Sequence, residues 1–321
     1  MPEPTVGVAV ITYNSAKHLP SCLSPLLASR MRPRILVVDA GSTDDTVNIA
    51  KRLGAETMSI PTREYNHGLT RERARKHLNT DIAVMMTPDA YAIYTTMLET
   101  LVAPIVNGDA AVAYARQLPH RGASAFEAFP REYNYPSESH IRGIEDAKKY
   151  KAYTFFCSNS CAAYDQQALD AVGGFPSVLL GEDTCAVAKL LRAGYRIAYV
   201  AEARVRHSHR YSLKQEFQRY FDTGLARHEY RDLIDIGSSD ERRGADFVRA
   251  FVRRILQERP LLLPYAALHT AAKWIGYRLG AAATRAPTRI KEMLSSQKFY
   301  WSSDEFRKRQ NAKHNNKAVQ S

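Results

Sequence analysis

From residue 5 to residue 90 the chain alternates short, almost continuous apolar runs with segments of helical spacing. Residues 5–11 (TVGVAVI), 34–39 (RILVVD), 56–60 and 82–86 (IAVMM) are of strand length. Runs without polar alternation predict strands buried on both faces. Leu19, Cys22, Leu23, Leu26 and Leu27 recur every three or four residues and predict a helix over 17–28. Helices are also predicted over 45–53 and 70–78, with Ser42 or Asp44 placed to cap the first of these. This alternation predicts an α/β fold, a mostly parallel sheet with helices on both faces.

Beyond residue 90 the pattern loosens. Residues 112–115 and 161–164 read as strands, and the aromatic stretch 126–153 carries turn-formers and no clear period. A helix is predicted over 183–193, and two strands over 195–200 and 203–207. From residue 213 the spacing is helical. The chain therefore divides into a sheet-based domain, 1–212, and a helical region, 213–321, whose last thirteen residues (RQNAKHNNKAVQS) read as disordered.

Composition changes this picture in two places. Apolar residues make up 45% of the chain, which excludes wholesale disorder, collagen and a disulfide scaffold. No charge-free stretch is long enough for a transmembrane helix, and the N-terminus does not have the form of a signal peptide. Cys22, Cys157, Cys161 and Cys185 match no zinc spacing, so free thiols in a reducing, cytoplasmic setting are expected. The net charge of +12 is concentrated at the C-terminus, where residues 249–321 hold 15 Lys and Arg against 4 Asp and Glu. That asymmetry predicts an acidic partner. Residues 260–280 are apolar and aromatic, interrupted by Lys273 and Arg278. They suit a helix in an anionic membrane surface, with Trp274 and Tyr277 at headgroup depth, on the inner face of the cell membrane. A buried core helix is the competing reading, and a homodimer interface a further one. No nucleic-acid-binding signature is present, so nucleic acid is not expected as a partner.

Ligands of open parallel sheets bind beyond the carboxyl ends of the strands. The polar residues there are Thr12, Asn14, Asp39, Thr87 and Asp89. Asp39 before a Gly turn can accept a hydrogen bond from a base N–H or a ribose hydroxyl. Asp89 can hold a hard divalent cation beside a diphosphate, with His207 and His209 supplying further ligands from one face of a strand. Glu182 and Asp183 stand at the start of a helix. Asp183 is the candidate general base and Glu182 an orienting or acceptor-binding group. Asn66 and His67 fall in a loop above the sheet, and Arg71, near a helix start, suits a phosphate.

In this order, residues 8–14 (VAVITYN), 37–44 (VVDAGSTD), Asp89, 181–183 (GED) and 207–209 (HSH) resemble family 2 glycosyltransferases of the GT-A fold, over about residues 5–225. Residues 60–71 (IPTREYNHGLTR) are similar to the IPxxEFNHGxTRN segment of bacterial rhamnosyltransferases, as are 115–119, 155–159, 173–176 and 207–212. The resemblance implies transfer of L-rhamnose from dTDP-L-rhamnose to a lipid-linked glycan of the cell envelope. It implies that Thr12, Asn14, Asp39, Ser42 and Thr87 hold the donor nucleotide and that Arg71 meets the diphosphate. Asn66 and His67 then border the donor sugar. Asp89 binds Mg2+ or Mn2+ with His207 or His209 assisting, and Asp183 deprotonates the acceptor for a single inverting displacement. Two positions depart from the family pattern. Thr87 stands where the usual Asp-x-Asp has its first carboxylate, with Pro88 in place of the Gln of TQDA. Ala40 replaces the second Asp after strand two.

Other functions fit less well. A sugar nucleotidyltransferase wants a Gly-rich, basic N-terminal loop, and Gly7 stands alone. A nucleic-acid-binding protein would leave the strand-end residues without purpose. An inactive partner of another transferase would not need an intact Asp183.

Overall fold

The computed structural model describes residues 3–236 and 240–311. Its first third is β1 (Val6–Thr12), α1 (Leu19–Leu27), β2 (Arg34–Asp39), α2 (Thr46–Arg52), β3 (Glu56–Ser59), α3 (His67–Leu78) and β4 (Ile82–Met86). The strands of this part pair in parallel in the order β3-β2-β1-β4. Every residue of β1 and β4 is buried, as expected of central parallel strands. Side chains alternate between two cores. Val8, Val10, Val37, Val84 and Met86 meet Leu19, Leu23 and Leu26 of α1. Ala9, Ile11, Leu36, Val38 and Met85 meet Ala74 and Leu78 of α3 on the other face. Because β1 lies between β2 and β4, the loops leaving β1 and β4 diverge and open a crevice at their carboxyl ends.

The second part is β5 (Tyr91–Ala92), α4 (Met97–Val106), β6 (Val112–Leu118), α5 (Ala125–Asn134), β7 (His140–Arg142), α6 (Ala147–Tyr150), β8 (Cys161–Asp165), α7 (Gln166–Ala171), α8 (Glu182–Arg192) and β9 (Ile197–Arg206). It extends the sheet as β4-β8-β6-β9-β5, antiparallel except for β6 with β9. The two strands predicted over 195–207 are one strand. Its register on β6 jumps from Ala115–Val200 to Arg116–Arg204, so the break between the two predicted strands, around Glu202, is a bulge. β9 thereby reaches three partners, pairing β7 at one end and β5 at the other.

The aromatic stretch 126–153 also gains regular structure, namely α5, β7 and α6. Phe126 and Phe129 of α5 meet Phe251 edge-on at 5.4 Å or tilted at 5.1 Å. Phe251 belongs to the C-terminal helices, which are α9 (Leu213–Glu229), α10 (Arg231–Ile234), α11 (Asp240–Glu258), α12 (Leu263–Ala282), α13 (Thr288–Leu294) and α14 (Lys298–Ser302), followed by a helical run over 304–311. The absent period over 126–153 thus reflects a docking surface built on aromatic edges. Of the tail expected to be disordered, 309–311 are helical and the remainder lies outside the described residues. α12 crosses α9 on glycines: a Cβ on Gly276 or Gly280 would strike the carbonyls of Phe217 or Phe221. All four cysteines are buried and unpaired.

Candidate active site

The β1 and β2 ends form one self-bonded loop system. Asp39 is 3% exposed. Its Oδ2 accepts the N–H groups of Gly41 (3.1 Å) and Ser42 (2.9 Å), and its Oδ1 accepts the hydroxyls of Ser42 and Thr12. Gly41 makes this turn with φ +86°. Asn14, itself at φ +46°, accepts Thr43 N–H at 2.9 Å, and its own N–H donates to Ser42 Oγ at 2.8 Å. Ser42 therefore does not cap α2. Asp44 accepts Thr46 N–H at 3.1 Å and holds the helix entry instead.

Across the crevice Asp89, His207 and His209 converge. Asp89 Oδ2 lies 3.6 Å from His207 Nε2 and 3.3 Å from His209 Nδ1. One ligand atom from each residue lies within 4.8 Å of the others. The histidines follow the end of β9, on non-regular backbone rather than in the strand. Gln117 Nε2 donates to Ser158 Oγ at 2.9 Å, so its Oε1 accepts from His207 Nδ1 at 2.8 Å. That fixes the tautomer and leaves the Nε2 lone pair facing Asp89. Burial lowers His207 well below the ordinary imidazole range and His209 to about 4. Two neutral nitrogens and a carboxylate oxygen suit a divalent cation. The buried Thr87 Oγ1 has no hydrogen-bond partner among the described residues, which leaves a hydroxyl beside that site.

Glu182 and Asp183 open α8 after Gly181, whose φ of +82° forms the preceding turn. Burial works to raise Glu182, but the Arg71 guanidinium, 3.1 Å away, overrides it and keeps the group below the ordinary carboxylate value. Asp183 goes the other way. Burial, and then the Glu182 charge, push it up to about 6. Its Oδ2 accepts Asn159 N–H at 3.2 Å and its Oδ1 accepts Thr184 N–H at 2.7 Å. Arg71 stands in the second turn of α3 rather than at its start, and its buried Nε has no partner among the described residues. Asn66 is the N-cap of α3, accepting from Gly68 and Leu69 N–H at 3.0 Å each. His67 is held between Tyr65 Oη (2.9 Å) and Gln297 Oε1 (3.0 Å).

Three features received no role from the sequence, although two of them fall in the segments 115–119 and 155–159 that carry the rhamnosyltransferase resemblance. The loop 158–160 is the hub of the site. Ser158 holds Gln117 and through it His207. Asn159 donates to Glu182 Oε1 at 3.0 Å as well as to Asp183. Ser160 carbonyl accepts Thr87 N–H at 3.3 Å. This loop sets the acidic pair of α8 beside the Asp89 cluster. Gln117 has no assigned role until its partner His207, just past the end of β9, is known. Phe299 of α14 lies edge-on to Tyr13, ring centroids 5.1 Å apart, which brings the C-terminal segment to the β1 loop.

A crevice that joins a bonded hydroxyl and carboxylate loop to an Asp–His–His cluster and an acidic pair defines a GT-A glycosyltransferase. The glycosyl transferase family 2 model matches residues 7–173. O-antigen chain rhamnosyltransferase RfbN of Salmonella typhimurium is 35% identical over 307 residues, 94% of this chain and 97% of that protein. O-antigen chain rhamnosyltransferase WbaN of Salmonella anatum is 38% identical over 277 residues, 85% of this chain and 87% of that protein. The chain belongs to glycosyl transferase family 2 and is a glycosyltransferase. Solved structures share the fold. A mannosyltransferase of Pyrobaculum calidifontis in complex with GDP-Man and Mn2+ superposes with TM-score 0.60 at 17% identity, covering 89% of this chain and 88% of that one. S. aureus TarS in complex with UDP-GlcNAc superposes with TM-score 0.54 at 18% identity, covering 88% and 91%.

Proposed function

We propose that this enzyme transfers L-rhamnose from dTDP-L-rhamnose to a lipid-linked glycan of the cell envelope, with inversion, at the cytoplasmic face of the membrane. The observation that carries the chemistry is the loop 158–160, which joins a carboxyl group of raised pKa to a metal-competent cluster. Asp183 takes the acceptor hydroxyl proton. The acceptor oxygen bonds to the anomeric carbon as the bond to dTDP breaks, and one displacement inverts that centre. Glu182, held by Arg71 and Asn159, keeps Asp183 in place and holds its pKa up. Thr12, Asn14, Asp39 and Ser42 form the loop against which the nucleoside lies, and Arg71 Nε and Thr87 Oγ1 have hydrogen-bonding capacity left for the diphosphate. Asp89, His207 and His209 would hold the cation, and two imidazoles favour Mn2+ over Mg2+. A cation there supplies Lewis-acid stabilisation of the departing diphosphate. The donor reading is supported by the two O-antigen rhamnosyltransferases, similar over nearly the whole chain.

Thermal denaturation tests the donor. At about 100 times its dissociation constant a ligand adds roughly 2.7 kcal/mol of stability. The melting temperature should rise with dTDP and dTDP-L-rhamnose, more so with Mn2+, and not with UDP-glucose, UDP-GlcNAc or GDP-mannose. Stabilisation by a UDP or GDP sugar alone would overturn rhamnose and leave the transferase chemistry standing.

A further inference from the structure

α12 has two unlike faces. Ala266, His269, Gly276 and Gly280 are buried, and Lys273 is turned inward, 3.6 Å from Glu216 of α9. On the outward side of the helix Leu268 (59% exposed), Ile275 (44%) and Leu279 (47%) form a stripe, with Trp274 (65%) beyond it and the exposed Arg278 between the two. Apart from Arg278, whose long side chain can carry its charge to the headgroup level, the outward face of this helix is apolar, the reverse of an ordinary surface helix. The apolar exposure continues into α13 at Met293 (70%). From residue 259 to residue 291 the sequence has six basic residues and no acidic one. Arg285 and Arg289, just past the stripe, are exposed. Glu258 and Glu292, both exposed, close that window at its two ends, so the border of the apolar face is cationic in excess. Such a face calls for a partner that is apolar inside and anionic at its rim. A second copy of this chain would instead set cation against cation. No helix among the described residues is long and apolar enough to cross a membrane.

We infer that α12 lies in the plane of an anionic lipid bilayer, with Leu268, Trp274, Ile275 and Leu279 among the acyl chains and Arg285 and Arg289 on lipid phosphates. The structure revises the expected anchors: Lys273 is committed to Glu216, and Tyr277 lies on the half-buried side toward α9. The inference rests on this surface and is independent of the donor's identity.

Flotation of the full chain tests it, with vesicles of phosphatidylcholine alone and with about one quarter phosphatidylglycerol. The protein should float with the anionic vesicles only, and less as salt rises. The pair Ile275→Ser and Leu279→Ser should cut vesicle binding at least roughly tenfold, and so should the pair Arg285→Glu and Arg289→Glu. Both pairs should keep the melting temperature of the parent. Should the serine pair fail to fold, the surface arginine pair still decides. Absence of flotation with anionic vesicles, or unchanged flotation of the arginine pair, would overturn the inference. So would a parent dimer in sedimentation that the serine pair converts to monomer, because the face would then join two copies.

Discussion

Two aspartates of the site, Asp39 and Asp183, sit in opposite surroundings. Asp39 is buried among four donors, two backbone N–H groups and two hydroxyls, which match its negative charge. Asp183 has two backbone N–H donors but lies beside the Glu182 carboxylate, and it is held up at about 6. The first carboxylate organises a loop in advance of any ligand. The second ionises only as pH approaches neutrality, because burial and then like charge raise it, as a base poised near neutrality requires. One half of the site is relaxed and the other stores electrostatic strain.

The same substitution at each position should therefore act in opposite directions on stability. Asp183→Asn removes the base and should lower kcat by about a thousandfold or more. It should also raise unfolding stability above pH 6 by about 1 kcal/mol, the relief of a charge held above its unfolded pKa less the one backbone N–H that the amide can no longer accept. The sign follows from linkage. A carboxyl whose folded pKa is raised binds its proton more tightly when folded, so the ionised group opposes folding above about pH 6. That penalty disappears as pH falls from 6 toward 3.8. Parent activity should fall about tenfold per pH unit below 6. Full activity of the Asn variant would remove Asp183 as the base.

Asp39→Asn should do the reverse. An amide cannot accept from all four donors, so stability should drop by about 1–2 kcal/mol, with a higher donor KM and a smaller loss in kcat. Chemical denaturation at pH 7 of both variants beside the parent reads the contrast directly. If both shift in the same direction, the difference drawn between the two halves is wrong.

The parallel sheet was legible because β1, β2 and β4 are buried on both faces and therefore lack polar alternation. Its continuation was less so. The bulge in β9 breaks one strand into two apparent ones, and α5 reads as irregular because its aromatics face α11 rather than a local period. In the site, the residues at strand ends could be named from position alone. Their partners could not. Asp39 looked free for a ligand because its four donors lie in a turn whose bonds are set by backbone direction. Arg71 could be named as a cation for a phosphate, but not its ion pair with Glu182, which spans more than a hundred residues. Gln117 and Asn159 lie in segments 115–119 and 155–159 that the family resemblance marked, but their roles became visible only when the sheet brought them to His207 and Asp183.

The smallest effect concerns the relaxed half and tests whether the C-terminal segment belongs to it. Phe299 and Tyr13 are 36% and 44% exposed, and they meet edge to face beside the nucleotide loop. Gln297, two residues earlier, holds His67, and Arg309, further on, donates to the Ser177 carbonyl. The segment is thus fastened on both sides of Phe299, so truncating that ring should leave the backbone in place. An aromatic pair contributes about 0.5–1.5 kcal/mol beyond its buried area, so Phe299→Ala should weaken nucleotide binding roughly two- to twelvefold. It should leave kcat at saturating donor unchanged, because no part of the acidic pair or the Asp89 cluster is touched. Trp301, two residues on in α14, gives a fluorescence signal for the titration. A variant with unaltered nucleotide affinity would reduce the Tyr13–Phe299 contact to packing. A fall in kcat instead would mean that the segment acts through His67 and Arg71 on Glu182, and that the two halves are less separate than their hydrogen bonds suggest.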